Sequence, residues 1–248
     1  MKVLAALLLL GGLLCAFDSV KEVPIRIFMI GDSTMADKSY APGNPEKGWG
    51  QIFPLYFKPG IEVFNHAING RSTRNFRAEG RWDVVMAELK RGDYVIIQFG
   101  HNDQKIDDPN RYASPEDYKQ NLIRYVEEAS AKGAIPILAT PLSRRSFDEQ
   151  GALKDTHLSY TEKVKEVAAM LGVTLLDLNA KSRSLIMDWG EEKSKELFMH
   201  VAPGQYDRFP EGIVDNTHFS PTGAFRICDL VVEEMKLKLP ELAKFFKN

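Results

Sequence analysis

The sequence predicts a doubly wound α/β domain, a parallel sheet covered by helices on both faces. Three observations carry this. Short apolar runs rich in Ile, Val, Leu and Phe recur at 25–30, 61–65, 94–99, 135–140 and 173–178. They are near-continuous rather than alternating, as suits strands buried on both sides. Helical patterns lie between them, so strand and helix alternate with right-handed crossovers. The 248 residues suit one large domain with its own core.

Taken in order, IRIFMI (25–30) lies between Pro24 and Gly31. WGQIFPLYF (49–57) is a short helix interrupted by Pro54, and IEVFN (61–65) follows a Pro-Gly turn. RWDVVMAELKRG (81–92) sets Trp82, Val85, Met86 and Leu89 on one face, with Gly92 past its end. YVIIQF (94–99) is the third strand. Ser114 caps a helix with Pro115 in its first turn, running to about Lys132 before Gly133. IPILAT (135–140), a helix over about 156–171 stopped by Gly172, and VTLLDL (173–178) come next. Ser220-Pro221 opens the last helix, SPTGAFRICDLVVEEMKLKL. Residues 100–114 and 198–220 read as long loops, which in compact domains are often functional. Ligands of such sheets sit beyond the carboxyl ends of the strands. Ser33, the 66–75 loop, the 100–104 loop and Arg144-Arg145 all fall at that end.

The chain starts MKVLAALLLLGGLLCAFDS. Lys2 and the apolar block Val3 to Leu14 read as a secretory signal cleaved near Ala16, with an uncleaved anchor as the alternative, although the block is short for a bilayer span. The expected organisation is a signal peptide at 1–16 and one domain at 17–248, secreted or periplasmic. Leu14 is a poor residue before a lipidated cysteine, which argues against anchoring at Cys15. Only Cys15 and Cys228 are present, so the mature domain carries no internal disulfide, and Cys228 fits a packed helical face. A formal net charge of −2 gives no field for nucleic acid, and nothing beyond the signal points to a membrane.

A serine hydroxyl needs a base to become a nucleophile, and histidine is the usual one near neutral pH. In Asp215-Asn216-Thr217-His218, the carboxylate can reach the Nδ1 side of the imidazole and leave Nε2 free for Ser33. An Asx-turn leading into a helix explains the same four residues. Acyl transfer also needs donors for a developing oxyanion. Candidates are the Ser33 N–H, Gly70 in AINGRSTRN and Asn102 in FGHNDQ, although Asn69-Gly70 is equally a turn dipeptide. No pair of histidines stands with a carboxylate at helical metal-ligand spacing, so no metal is expected.

GDST (31–34), NGRST (69–73), GHND (100–103) and DNTH (215–218) together resemble the blocks of the SGNH, or GDSL, hydrolase superfamily, in that family's order. GDSTMA, QFGHND and PEGIVDNTHFS most resemble rhamnogalacturonan acetylesterases. The resemblance implies a flavodoxin-like α/β/α sandwich around a parallel five-stranded sheet, and ester hydrolysis without metal or cofactor. By position, Ser33 is the nucleophile, His218 the base and Asp215 its orienting acid. Ser33 N–H, Gly70 N–H and the Asn102 side chain form the oxyanion hole. The substrate implied is an acetylated polysaccharide or oligosaccharide. Lipase, thioesterase, acetyl-xylan esterase and a non-catalytic carbohydrate-binding protein stand as alternatives, as does a metal-dependent phosphatase using Asp32, Asp103 and His218. Arg144-Arg145 and Arg71/Arg74 are candidates for uronate carboxylates. His101 and His200 are further substrate-contact candidates. Trp49, Trp82 and Trp189 invite sugar stacking, with Trp82 better suited to the core.

Overall fold

A computed structural model describes residues 24–247; the expected signal segment lies outside them. Five strands form one parallel sheet: β1 (Ile25–Gly31), β2 (Ile61–Asn65), β3 (Tyr94–Gln98), β4 (Ile135–Ala139) and β5 (Thr174–Leu176). Their order is β2-β1-β3-β4-β5, with every pair parallel. The expected sandwich is therefore present. Successive residues of the central strands feed opposite cores. Ile27, Met29, Ile96 and Ile137 pack on one face with α1 (Trp49–Ile52), α6 (Leu178–Lys193), α7 (Pro221–Lys238) and α8 (Pro240–Ala243). Phe28, Ile30, Val95 and Ile97 pack on the other with α2 (Thr73–Ala78), α3 (Arg81–Glu88), α4 (Pro115–Ala131) and α5 (Leu158–Leu171).

Helix starts follow local chemistry. The Ser114 side chain accepts from Asp117 N with Pro115 in the first turn, and Ser220 accepts from Gly223 N with Pro221 in the same place. Gly172 ends α5 in a left-handed conformation (φ 65°).

Three expectations need correction. Residues 198–220 are not simply a loop: β6 (Phe198–Val201) and β7 (Ile213–Phe219) pair antiparallel as a second, two-stranded sheet. β7 carries polar residues because it is a half-exposed strand outside the main sheet, which hides it from a search for apolar runs. The fifth strand stops at Leu176, since the Asp177 side chain accepts from Ala180 N and caps α6. α2 and α6 were not anticipated; α2 is only six residues long and begins at a capping box between Ser72 and Asn75.

The winding of the sheet reverses between β1 and β3: β2 lies on one side of β1, and the chain then crosses to the other. The crevice at the carboxyl ends of these two strands is the topological switch point, where open α/β sheets place ligands.

Candidate active site

Ser33 follows β1 at this crevice. Gly31 is required there, because a Cβ would stand 2.6 Å from the Gln98 carbonyl of β3. Asp32 then shapes the turn: its Oδ1 accepts from Thr34 N at 3.0 Å and Thr34 Oγ1 at 2.9 Å. Met35 and Ala36 N–H groups close back onto the Asp32 carbonyl. Ser33 is left pointing out of the turn, 8% exposed.

The histidine expected as base lies on β7. Met199 faces Asp215 and Phe198 faces Phe219, so one step along β6 spans four along β7. Residues 216–218 therefore bulge from the ladder, which turns His218 toward Ser33. His218 Nε2 stands 2.8 Å from Ser33 Oγ, and His218 Nδ1 stands 2.7 Å from Asp215 Oδ2. Asp215 Oδ1 also accepts from the N–H groups of Thr217 and His218. Burial pushes the Asp215 carboxyl up, but the imidazole and these two amides outweigh it and hold the group at about 2. Ionised Asp215 fixes the proton on Nδ1, leaving the Nε2 lone pair to accept from the Ser33 hydroxyl.

The bulge is pinned from below. Arg145 N donates to the Asn216 carbonyl at 2.9 Å, and Arg145 Nη1 to Asn216 Oδ1 at 3.2 Å. The rest of the Arg145 guanidinium goes to Glu191 O and Ser194 Oγ. Arg145 is a buried strut rather than a substrate group. His200 is equally remote from the crevice: its Nε2 meets Asn216 Oδ1 at 2.7 Å, and it lines a separate cavity with Phe198 and Tyr206.

Gly70 and Asn102 approach from the loops after β2 and β3. Gly70 has φ +77°, a left-handed conformation that favours glycine. The N–H groups of Ser33 and Gly70 donate to no carbonyl among the described residues. Asn102 Nδ2 gives one hydrogen to Arg71 O at 3.0 Å and keeps its second. The next residue, Asp103, ties the loops together: its Oδ1 accepts from Thr73 N at 2.9 Å and from Thr73 Oγ1. Burial pushes the Asp103 carboxyl up to about 7, although the Thr73 hydrogen bonds pull the other way.

A cavity of about 500 Å³ opens over these groups, lined by Ser33, Gly70, Asn102, Asp215 and His218 together with Glu46, Asn69, His101, Lys105, Arg111, Arg144 and Thr217. His101 is 4% exposed and its Nδ1 lies 3.2 Å from Asp32 Oδ2. Burial pushes His101 down, toward the neutral form. Burial would raise Asp32, yet His101 and Thr34 hold it at about 2, so Asp32 is ionised and accepts from His101 Nδ1–H. Lys105, Arg111 and Glu46 were not anticipated; Lys105 stands two residues beyond the GHND block, a signal that was available. Of the four arginines considered for substrate, Arg144 alone lines this cavity. Arg71 pairs with Glu79, and Arg74 donates to Tyr112 O.

None of the three tryptophans lines this cavity. Trp49 and Trp82 are core residues, with Trp49 Nε1 donating to Gln98 Oε1, and Trp189 packs against the core beneath Lys193. Among the described residues, no three His, Cys, Asp or Glu side chains group to hold a metal ion, and no helix is long and apolar enough to cross a membrane.

The family profile described as GDSL-like Lipase/Acylhydrolase matches residues 29–224. The chain belongs to this family. As a GDSL-like acylhydrolase it is a serine ester hydrolase. It is 40% identical over 223 residues to the rhamnogalacturonan acetylesterase RhgT of Bacillus subtilis, across 88% of this chain and 94% of that one. It is 37% identical over 225 residues to the probable rhamnogalacturonan acetylesterase YesY of the same organism, across 90% and 98%. Among solved structures, the Bacillus subtilis protein YxiM superposes with a TM-score of 0.73 at 28% identity, over 86% of this GDSL-family chain and 56% of YxiM.

Proposed function

We propose that the protein is a secreted acetylesterase that removes acetyl groups from pectic polysaccharide of the rhamnogalacturonan type, with Ser33 as nucleophile. The observation that carries this reading is the continuous line from Asp215 Oδ2 to His218 Nδ1 and from His218 Nε2 to Ser33 Oγ, at 2.7 and 2.8 Å. The relatives' names support the substrate class.

His218 Nε2 takes the Ser33 proton as Oγ attacks the acetyl carbonyl. The tetrahedral oxyanion is held by the N–H groups of Ser33 and Gly70 and by the free N–H of Asn102. His218 then gives its proton to the departing sugar oxygen, leaving an acetyl group on Ser33. Water, deprotonated by the same imidazole, attacks that acetyl group, and the imidazolium returns the proton to Ser33 Oγ as the bond to it breaks and acetate is released. Ionised Asp215 stabilises the imidazolium at both stages.

The cavity favours a short acyl group. Its lining carries no aliphatic or aromatic hydrocarbon side chain, whereas a lipase needs apolar surface to hold a long chain. Acetate release from acetylated rhamnogalacturonan, acetylated xylan and p-nitrophenyl esters of increasing length tests this. Release from the pectic substrate, with turnover falling steeply beyond the acetyl ester, is expected. Faster turnover of the octanoyl ester would make the protein a lipase.

A further inference from the structure

The cavity over Ser33 carries more positive charge than its own carboxylates neutralise. Four carboxylates lie in or beside it, and each is engaged. Glu46 pairs with Lys38 at 2.7 Å, Asp215 with His218, and Asp108 with Arg111 at 3.0 Å. Asp32 is fully buried against His101 and Thr34. Lys105 and Arg144 also line the cavity, and among the described residues neither forms an ion pair.

Arg144 is nonetheless held in place. With the Gln104 amide oriented by its neighbours, Gln104 Oε1 accepts from Arg144 Nη1 at 2.8 Å and Nη2 at 3.0 Å, as well as from His157 Nδ1. Longer contacts run to Thr156 Oγ1 and the His101 carbonyl. All these acceptors are neutral, so the guanidinium is oriented while its charge is left whole. The nearest negative charges, Asp32 and Asp215, act on it only through space. Lys105 is exposed at the cavity mouth. Partial enclosure of its ammonium and the nearby Arg111 and Arg144 push it below its ordinary value. Cations that repel one another beside a nucleophile form a site for an anion.

We propose that Lys105 and Arg144 bind the carboxylate of an acidic sugar residue in the polysaccharide, and so select a uronate-containing chain over a neutral one for deacetylation at Ser33. The ester itself is uncharged, so these two residues read the chain around it rather than the reacting bond. Arg144 supplies a preorganised planar donor set at the cavity wall, and Lys105 a mobile charge at the mouth. Arg111, already paired with Asp108, contributes less.

The inference rests on the acetylesterase reading, and a matched pair of substrates separates the two. One is an O-acetylated oligogalacturonide with free carboxylates; the other is the same oligosaccharide with its carboxyls methyl-esterified. Acetate release is measured on both for wild type, Lys105→Gln, Arg144→Gln and Lys132→Gln, the last being a surface lysine away from the cavity. Wild type is expected to favour the free carboxylate in kcat/KM by about tenfold or more, the scale of a charge-assisted hydrogen bond. That ratio should fall toward one in Lys105→Gln and Arg144→Gln, mainly through KM, and stay at the wild-type value in Lys132→Gln. Raising the salt concentration should lower the wild-type ratio and leave the Lys105→Gln ratio nearly flat. Equal rates of wild type on the two substrates, or a ratio unchanged by both cavity substitutions, would overturn the uronate site while leaving the acetylesterase reading intact. No acetate release from either substrate or from p-nitrophenyl acetate would instead overturn the reading beneath it, and the uronate site with it.

Discussion

Asp32 and Asp215 both stand beside a histidine, and their surroundings give them different work. Asp215 touches the imidazole that touches Ser33. Asp32, although next to Ser33 in sequence, turns inward to Thr34 and His101 and is wholly buried. Neutralising each should therefore fail in a different way. Asp215→Asn removes the acid that sets the His218 tautomer and should lower kcat by about 10³–10⁴ while leaving the urea midpoint nearly unchanged. Asp32→Asn removes the charge from a buried hydrogen bond to neutral His101 and should cost about 2 kcal/mol of stability in urea unfolding. A collapse in stability with kcat intact for Asp215→Asn would exchange the two roles. Spacing made Asp215–His218 a candidate pair, because residues three apart in one short segment can close on each other, but an Asx-turn fitted the same spacing and the ordered family blocks were needed to favour it. The Asp32–His101 pair was not legible, since it joins loops after two different strands.

The loops after β2 and β3 work as one element. Asn102 holds the Arg71 carbonyl, and Asp103 holds the Thr73 N–H and hydroxyl. From the other side, Asn121 donates to Thr73 Oγ1 and Tyr125 to the Thr73 carbonyl. Gly70 and Asn102 thus keep a fixed separation, which the proposed oxyanion hole requires. This lock has a cost that depends on pH. The native Asp103 carboxyl titrates near 7, against about 3.9 in an unfolded chain, so the native state binds the proton more tightly. Its contribution to stability is full below about pH 4 and is lost as pH rises toward 7. Asp103→Asn should remove that slope in urea unfolding measured across this range; an identical slope in the variant would place the titration elsewhere. Glycine and asparagine at the right strand ends were visible in NGRST and GHND, but their cross-bracing by Thr73 and Asp103 was not. The β6–β7 hairpin escaped for another reason. The placement of His218 depends on a bulge, and a bulge has no periodicity to read.

Across the whole molecule, the legible part is what the main sheet dictates. Buried parallel strands must be apolar on both faces, and all five stand out as runs in the sequence. Their order, β2-β1-β3-β4-β5, places the switch point between β1 and β3, and so explains why Ser33 and Asn102 line one cavity. What the strands do not dictate is how residues 198–220 return to that crevice. There, β7 brings His218 to a serine 185 positions earlier, braced by Arg145, Asn216 and His200. Gly223 lets α7 follow at once, since a Cβ there would lie 1.8 Å from the Leu197 carbonyl. The central claim is that this convergence makes Ser33 a nucleophile. Labelling with a fluorophosphonate, followed by peptide mass spectrometry, tests it most directly. The account predicts one covalent adduct, on the peptide carrying Ser33, formed by wild type, sharply slowed in His218→Ala and absent in Ser33→Ala, which also releases no acetate. An adduct on another residue, or ester hydrolysis persisting in folded Ser33→Ala, would contradict it.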